Sequence, residues 1–405
     1  MSSGESQGVG RILLVVAAIF LIIVGGLAGL AYRFFHHLPK PEPVPVALQV
    51  PRVEQGAGRF RKTLFWRNEY FGAVTALHHQ PGADLLVIAG EGGAVFLDTS
   101  GKVQRSIAWE KSPWEAWNGT PLQAWKDHPV LKSSFWQSSP GTKVKIIPLV
   151  EGGVGFLVQS GPVVDEVMFV DSAGKPRWSY TPNRSKDEFV DDAAAADFLG
   201  DGKVEFAIGY GGGGGVRLLD AANRQVWHQS DGNVWHIESI QDAATSKRYV
   251  VHSNAGGQLV VVDGQGNVVS SAQPASGYLS DFAVTDWKKD RQRRLVACGD
   301  DAAFVFGLEG PATAKLPAEH CNYLWEPQAT PVRFARGQTW FAVLAAHGYW
   351  GRSLLYLYDD QNRLQYQEIL GEKCGALTVV SDGDREKLLA GCDSQVWQYE
   401  PASGH

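Results

Sequence analysis

Three short stretches carry residues whose types and spacing suit chemistry. The first is the glycine run that follows Gly209, in which Gly209, Gly211 and Gly214 satisfy G-x-G-x-x-G. In a nucleotide-binding unit such glycines lead into a helix whose N-terminus holds phosphate. Here they run into "VRLLD", a strand pattern, so a glycine-rich hairpin loop is expected instead of a phosphate cradle. The second is the acidic turn "DFLGDGKVE", where Asp197, Asp201 and Glu205 take positions 1, 5 and 9 of a calcium-type loop around Gly202. Calcium needs several hard oxygen ligands, yet position 3 is Leu199. These three carboxylates are the candidate metal ligands, with turn capping as the alternative. Calcium is the only cofactor this turn suggests.

The third stretch is "WEKSPWEAWNGTPLQAWKDHPVLKSSFW", which holds Trp109, Trp114, Trp117, Trp125 and Trp136. Clustered tryptophans in a loop suit a partner surface, because indoles are favoured where binding energy concentrates. The alternative is that the rings bury themselves to staple a long insertion. Catalytic signatures are lacking. The eleven histidines are scattered and form no HExxH, GxxxxGK[ST] does not occur, and no GxSxG elbow between a strand and a helix is visible. Enzymatic activity is left open, and a binding role is preferred.

Four cysteines, Cys298, Cys321, Cys374 and Cys392, form no CxxC and no CxxCH, which removes support for a thioredoxin-type site, a zinc ribbon and attached haem. A hairpin of "CGALTVVS" and "EKLLAGC" would set Cys374 opposite Cys392, so a disulfide is expected there. Cys298–Cys321 then follows by elimination, with unpaired core thiols as the alternative.

These candidates must be held by a scaffold. The chain has 405 residues, 44% hydrophobic and 20% charged, with a net charge of −6. That suffices for a large core and makes nucleic acid an improbable partner. Residues 12–32 form 21 consecutive uncharged positions, long enough to cross a bilayer as a helix. A cleaved signal peptide is the rival, but its apolar core is usually shorter, at about 7–15 residues. The sequence thus divides into a tail at 1–11, a signal-anchor helix at 12–33, a proline-rich spacer at 34–60 and a domain at 61–405. Arg11 precedes the span while Arg33 and Lys40 follow it, so basic residues do not decide orientation. The short tail favours an extracytoplasmic C-terminal domain.

Beyond residue 70 one phrase recurs: an apolar strand ending in Asp, a polar turn, and another strand. It ends at Asp98, Asp171, Asp220, Asp263 and Asp359, with echoes near Glu309 and Glu400. Successive spacings are 73, 49, 43, 46, 50 and 41 residues. Units of about 40–50 residues are the length of a four-stranded propeller blade. The long first spacing accommodates the Trp-rich insertion at 109–140. Seven inner strands are expected, starting near residues 74, 145, 191, 235, 279, 328 and 376, although six or eight blades remain open. The last unit stops after its third strand, so a strand within 62–71 is expected to complete it and remove an exposed edge. The residue seven after the Asp is Trp178, Trp227 or Tyr366 in three units, which suits packing between blades.

"DFLGDGKVEFAIGYGGGGGVRLLD" resembles FG-GAP/VCBS repeats, and "FVDSAGKPRWS" resembles the PQQ-like quinoprotein repeat. Both resemblances imply an all-β propeller. The quinoprotein resemblance would also imply a cofactor pocket with a vicinal cysteine pair, which this chain does not have. The expectation is an all-β, seven-bladed β-propeller held to a bilayer through residues 12–32, periplasmic or extracellular, and binding a protein as a scaffold subunit. A quinoprotein-like or metal-binding propeller enzyme is the alternative.

Overall fold

The structure, a computed structural model, describes residues 51–402 except 81–82, 110–142, 150–151, 160–165, 184–188, 274–277, 288–291, 300–301, 322–323, 336–337, 349, 383–384 and 394, and also residues 20 and 24–27. The chain divides into two compact units, Met1–Pro43 and Val44–His405. In the first, residues 20 and 24–27 are helical and exposed, and the rest of the expected signal anchor lies outside the described residues. Among the described residues no helix is long and apolar enough to cross a membrane.

The second unit is built of strands. It opens with β1 (Arg52–Gln55) and β2 (Phe60–Arg67), then β3 (Val74–His79), β4 (Leu86–Gly90), β5 (Gly93–Leu97) and β6 (Val103–Ala108). Next come β7 (Lys143–Pro148), β8 (Val154–Gln159), β9 (Val167–Val170) and β10 (Pro176–Tyr180), followed by β11 (Val190–Ala196), β12 (Glu205–Tyr210), β13 (Val216–Leu219) and β14 (Gln225–Gln229). The series continues with β15 (Ile237–Gln241), β16 (Arg248–Ser253), β17 (Leu259–Val262), β18 (Val268–Ala272), β19 (Ala283–Asp286), β20 (Arg293–Cys298), β21 (Ala302–Phe306) and β22 (Ala312–Pro317). It ends with β23 (Leu324–Ala335), β24 (Gln338–His347), β25 (Arg352–Tyr358), β26 (Leu364–Ile369), β27 (Cys374–Asp382), β28 (Arg385–Cys392) and β29 (Gln395–Pro401).

These strands form seven antiparallel sheets among the described residues, five of them meanders of four consecutive strands and two joined by a strand from the start of the unit. The first strands of successive sheets, β3, β7, β11, β15, β19, β23 and β27, touch one another in order, and β27 returns to β3. That cyclic contact defines a seven-bladed β-propeller. The seventh sheet is completed by β2, which pairs antiparallel with β29 from Phe60 opposite Pro401 to Arg67 opposite Gln395. One strand departs from the sequence expectation. β1, inside the stretch read as spacer, adds a fifth strand to the sixth sheet by pairing with β26.

The core is distributed over the joints between blades. Blades one and two share Phe96, Val144 and Phe156, while blades two and three share Trp178, Phe206 and Ile208. The other five joints hold similar clusters. The middle strands of a blade are therefore covered on both faces, which is why β4, β5, β8 and β12 are buried at every residue. Trp178 stacks on Phe206 with ring centroids 3.6 Å apart, and Trp227 donates its indole N–H to Gly264 at 3.1 Å. The aromatic seven residues after the Asp thus packs across a joint.

The repeated Asp has a local cause. Asp171 Oδ1 accepts the backbone N–H groups of Ala173 and Lys175 at 2.9 and 3.0 Å. Asp98, Asp220, Asp263 and Asp359 do the same to the residues two and four further on. Each carboxylate satisfies turn donors between the third and fourth strands, as an Asx turn does. Gly174 at φ 88° and Asn223 at φ 59° supply the left-handed residue these turns need.

Candidate functional site

The first strands of the blades surround the propeller axis, and several bring a charged side chain toward it near their starting ends. Lys143 and Lys145 lie on β7, Asp192 on β11 and Glu238 on β15. His236 precedes β15, Asp281 precedes β19, Glu326 lies on β23 and Lys373 precedes β27. Six of the seven blades thus contribute to one polar cluster.

Asp192, almost fully buried, is its centre. Its Oδ2 accepts the Lys145 ammonium at 2.9 Å, His236 Nδ1 at 2.6 Å and the backbone N–H of Ile237 at 3.0 Å. Its Oδ1 is buried with no hydrogen-bond partner. Lys145 also reaches Glu238 at 3.1 Å and the Ile237 carbonyl at 2.6 Å. Lys143 Nζ donates to the Asp191 carbonyl at 3.1 Å, and Lys373 pairs with Glu326 at 3.0 Å. Asp281 is 3.5 Å from His236 Nδ1 and accepts the backbone N–H of Glu326.

The electrostatics follow from burial against pairing. Burial favours neutral Asp192, but Lys145, Lys143 and His236 outweigh it and hold the carboxyl well below the usual range. Burial disfavours the His236 cation, yet Asp281 and Asp192 raise its pKa above the ordinary value. Burial raises the Asp281 carboxyl. The cluster is a compensated network of both signs, and it locks neighbouring inner strands together.

Around this charged centre the connections between blades present apolar rings to solvent. Phe189, Trp235 and Tyr278 are 41%, 47% and 46% exposed. Each lies on the connection from the outer strand of one blade to the first strand of the next, immediately before the charged residues just described. Trp235 Nε1 donates to the Tyr278 hydroxyl at 2.9 Å, and Tyr278 donates to the carbonyl of Ala255 at 3.1 Å. Phe189 lies against the glycine loop: its carbonyl accepts the Gly211 N–H at 2.9 Å, and its ring covers the Gly211 α-carbon. The glycine run therefore lets a backbone loop pass close beneath an aromatic ring. Tyr70, on the corresponding connection into β3, is half-exposed and stacks on Trp66.

The sequence candidates fare differently. Trp109 is buried at 6% exposure against Phe156, with its indole N–H donated to Gly90, so it belongs to the core and not to a partner surface. Trp114, Trp117, Trp125 and Trp136 lie outside the described residues. In sequence they fall between β6 and β7.

The acidic turn uses its carboxylates on its own backbone. Asp197 accepts N–H groups from Gly200, Asp201 and Gly202, Glu205 accepts those of Phe198 and Leu199, and Asp201 binds the Lys203 ammonium at 2.8 Å. This is the capping alternative. Among the described residues, the groups gathered closely enough to share an ion are instead Glu54, Glu319 and His320.

Cys374 and Cys392 face each other across β27 and β28 and form a disulfide with Cα atoms 3.8 Å apart. Cys298 and Cys321 are free thiols in this structure. They are neighbours, and the Cys321 contact together with burial pushes the Cys298 thiol well up. Sequence reasoning missed the central network and the exposed rings. The partners of each charge or ring lie in other units, and no local motif marks them.

The fold and this face define a propeller with an aromatic and charged surface at one end of its axis. No known protein family matches the sequence, and no curated protein matches it. Similar solved structures include the WD40 domain of Neurospora crassa Pan2, at 12% identity and a TM-score of 0.49, covering 86% of this chain and 97% of that one. They also include BBS1N in complex with ARL6DN, soaked with mercury, at 12% identity and a TM-score of 0.49, covering 84% of this chain and 98% of that one. The lead-soaked form of the same complex gives 13% identity, a TM-score of 0.47 and coverages of 84% and 98%. The propeller assignment rests on the sheet topology.

Proposed function

We propose that this chain is a membrane-anchored, extracytoplasmic scaffold subunit whose propeller binds a protein partner. The observation that carries the reading is the exposed aromatic set Phe189, Trp235 and Tyr278. Trp235 and Tyr278 are pinned by hydrogen bonds, so little of their side-chain entropy remains to be lost on binding.

Anchoring is supported by the uncharged run at residues 12–32 and by the prolines that separate it from the first strand. The Cys374–Cys392 disulfide supports an oxidising, periplasmic or extracellular, location.

The test is co-purification from detergent-solubilised membranes, comparing the unaltered chain with Trp235→Ala/Tyr278→Ala. A stoichiometric protein retained by the first and lost by the second is expected. Recovery of no partner, or of the same partner by the double variant, sinks the proposal.

A further inference from the structure

The geometry points to a second site, for a divalent first-row transition ion of the zinc type, formed by Glu54, Glu319 and His320. It does not depend on the partner-binding reading above.

The site joins two segments far apart in sequence. Glu54 lies on β1, and His320 lies on the connection from β22 to β23. Opposite β26 the register of β1 shifts between Val53 and Gln55, so Glu54 is the irregular residue. Such a bulge re-aims its side chain. The Glu54 carboxylate meets His320 Nε2 at 3.2 Å. It is also held by Gln367, itself 1% exposed, whose Nε2 donates to Glu54 Oε2 at 2.6 Å. An outer partner of this kind orients a ligating carboxylate.

The imidazole is equally constrained. Its ring meets Trp350 edge-on with centroids 5.1 Å apart, and the other side of the arrangement is completed by His347 stacked on Trp350 at 3.7 Å. Glu319 is fixed through its backbone, since the Tyr356 hydroxyl donates to its carbonyl, while its side chain is exposed.

One ligand atom from each residue lies within 4.8 Å of the other two. Ligands bound to one zinc-type ion at about 2.0–2.2 Å stand roughly 3–4 Å apart, so a shift of under about an ångström closes the set. One imidazole nitrogen and two carboxylate oxygens suit zinc, cobalt or manganese better than calcium, which prefers more numerous, all-oxygen ligands. Three protein ligands leave a coordination position for water on the exposed side. An ion there would clamp β1 onto the joint between blades five and six.

The experiment uses the full-length chain, without a histidine tag, purified in detergent. Cobalt(II) alone is titrated as a spectroscopic probe, zinc(II) is added in competition, and thermal midpoints are read with zinc and with chelator. The expected result is one equivalent of cobalt with visible d–d absorption, displaced by zinc, and a midpoint raised by zinc and restored by chelator. His320→Gln and Glu319→Gln should each weaken binding by about tenfold or more. Glu319 is exposed, so Glu319→Gln reports on the ion without disturbing the fold. Absence of cobalt absorption in the unaltered chain, or an affinity in both variants equal to that of the unaltered chain, overturns the proposal.

Discussion

His236 Nδ1 stands 2.6 Å from Asp192 Oδ2 and so ties blade four to blade three beside the propeller axis. The pair depends on pH in both directions. The His236 pKa is raised in the folded chain, against a reference near 6.5, so its contribution is complete below about 6.5 and is lost as pH rises through the folded value. The Asp192 pKa is lowered, so its contribution is complete above about 3.9 and is lost as pH falls through the folded value. His236→Gln should therefore flatten the decline in stability above about pH 6.5. Denaturant titrations across pH check this, and superimposable profiles for the two proteins would refute it.

Asp192→Asn removes the counter-charge of Lys145 and His236 while keeping the volume. Taking the central counter-charge from these largely buried cations, which keep only Glu238 and Asp281, should cost about 3 kcal/mol at neutral pH. Equilibrium unfolding measures it, and a loss below about 0.5 kcal/mol would mean the network contributes no net stability.

Trp178→Ala should destabilise by about 3–5 kcal/mol, because its ring is sandwiched on Phe206 between blades two and three. Trp178→Phe should recover a large part of the loss. Thermal or chemical unfolding of both variants distinguishes packing from any role of the indole N–H.

Reducing the Cys374–Cys392 bridge opens a loop of sequence separation 18 and should cost about 3 kcal/mol. The unfolding midpoint with and without reductant reads this. A Cys374→Ala/Cys392→Ala protein that matches the reduced chain and ignores reductant assigns the effect to this bridge.

The glycine run should not tolerate change uniformly. At Gly215 φ is 66°, and an added Cβ would collide with the Gln229 carbonyl oxygen, so Gly215→Ala should cost at least about 1–2 kcal/mol. At Gly211 an added Cβ meets the exposed ring of Phe189, which can swing away. Gly211→Ala should therefore spare stability while altering the proposed binding face. Comparable unfolding midpoints for the two variants would contradict this account.

Much of the scaffold is legible along the chain. The inner strands begin at 74, 143, 190, 237, 283, 324 and 374, within four residues of the starts read from the repeats. The closing strand falls at Phe60–Arg67, overlapping the 62–71 stretch expected to complete the ring. Turn carboxylates, left-handed glycines and apolar runs report on neighbours only a few residues away, and so they show in the sequence. Whether Trp109 faces a partner or buries itself stays open in the sequence for the opposite reason. Its burial depends on Phe156, which belongs to the next blade.

By itself the sequence determined the repeating unit, its strand order and the residues that shape each turn, because those depend on local backbone chemistry and on short apolar runs. The tertiary structure alone decided what meets at the axis and at the rim. Asp192 finds Lys145 and His236, and Glu54 finds His320 across 266 positions, only because the ring closes. Ring closure converts charges and aromatic rings that are isolated along the chain into neighbours a few ångströms apart.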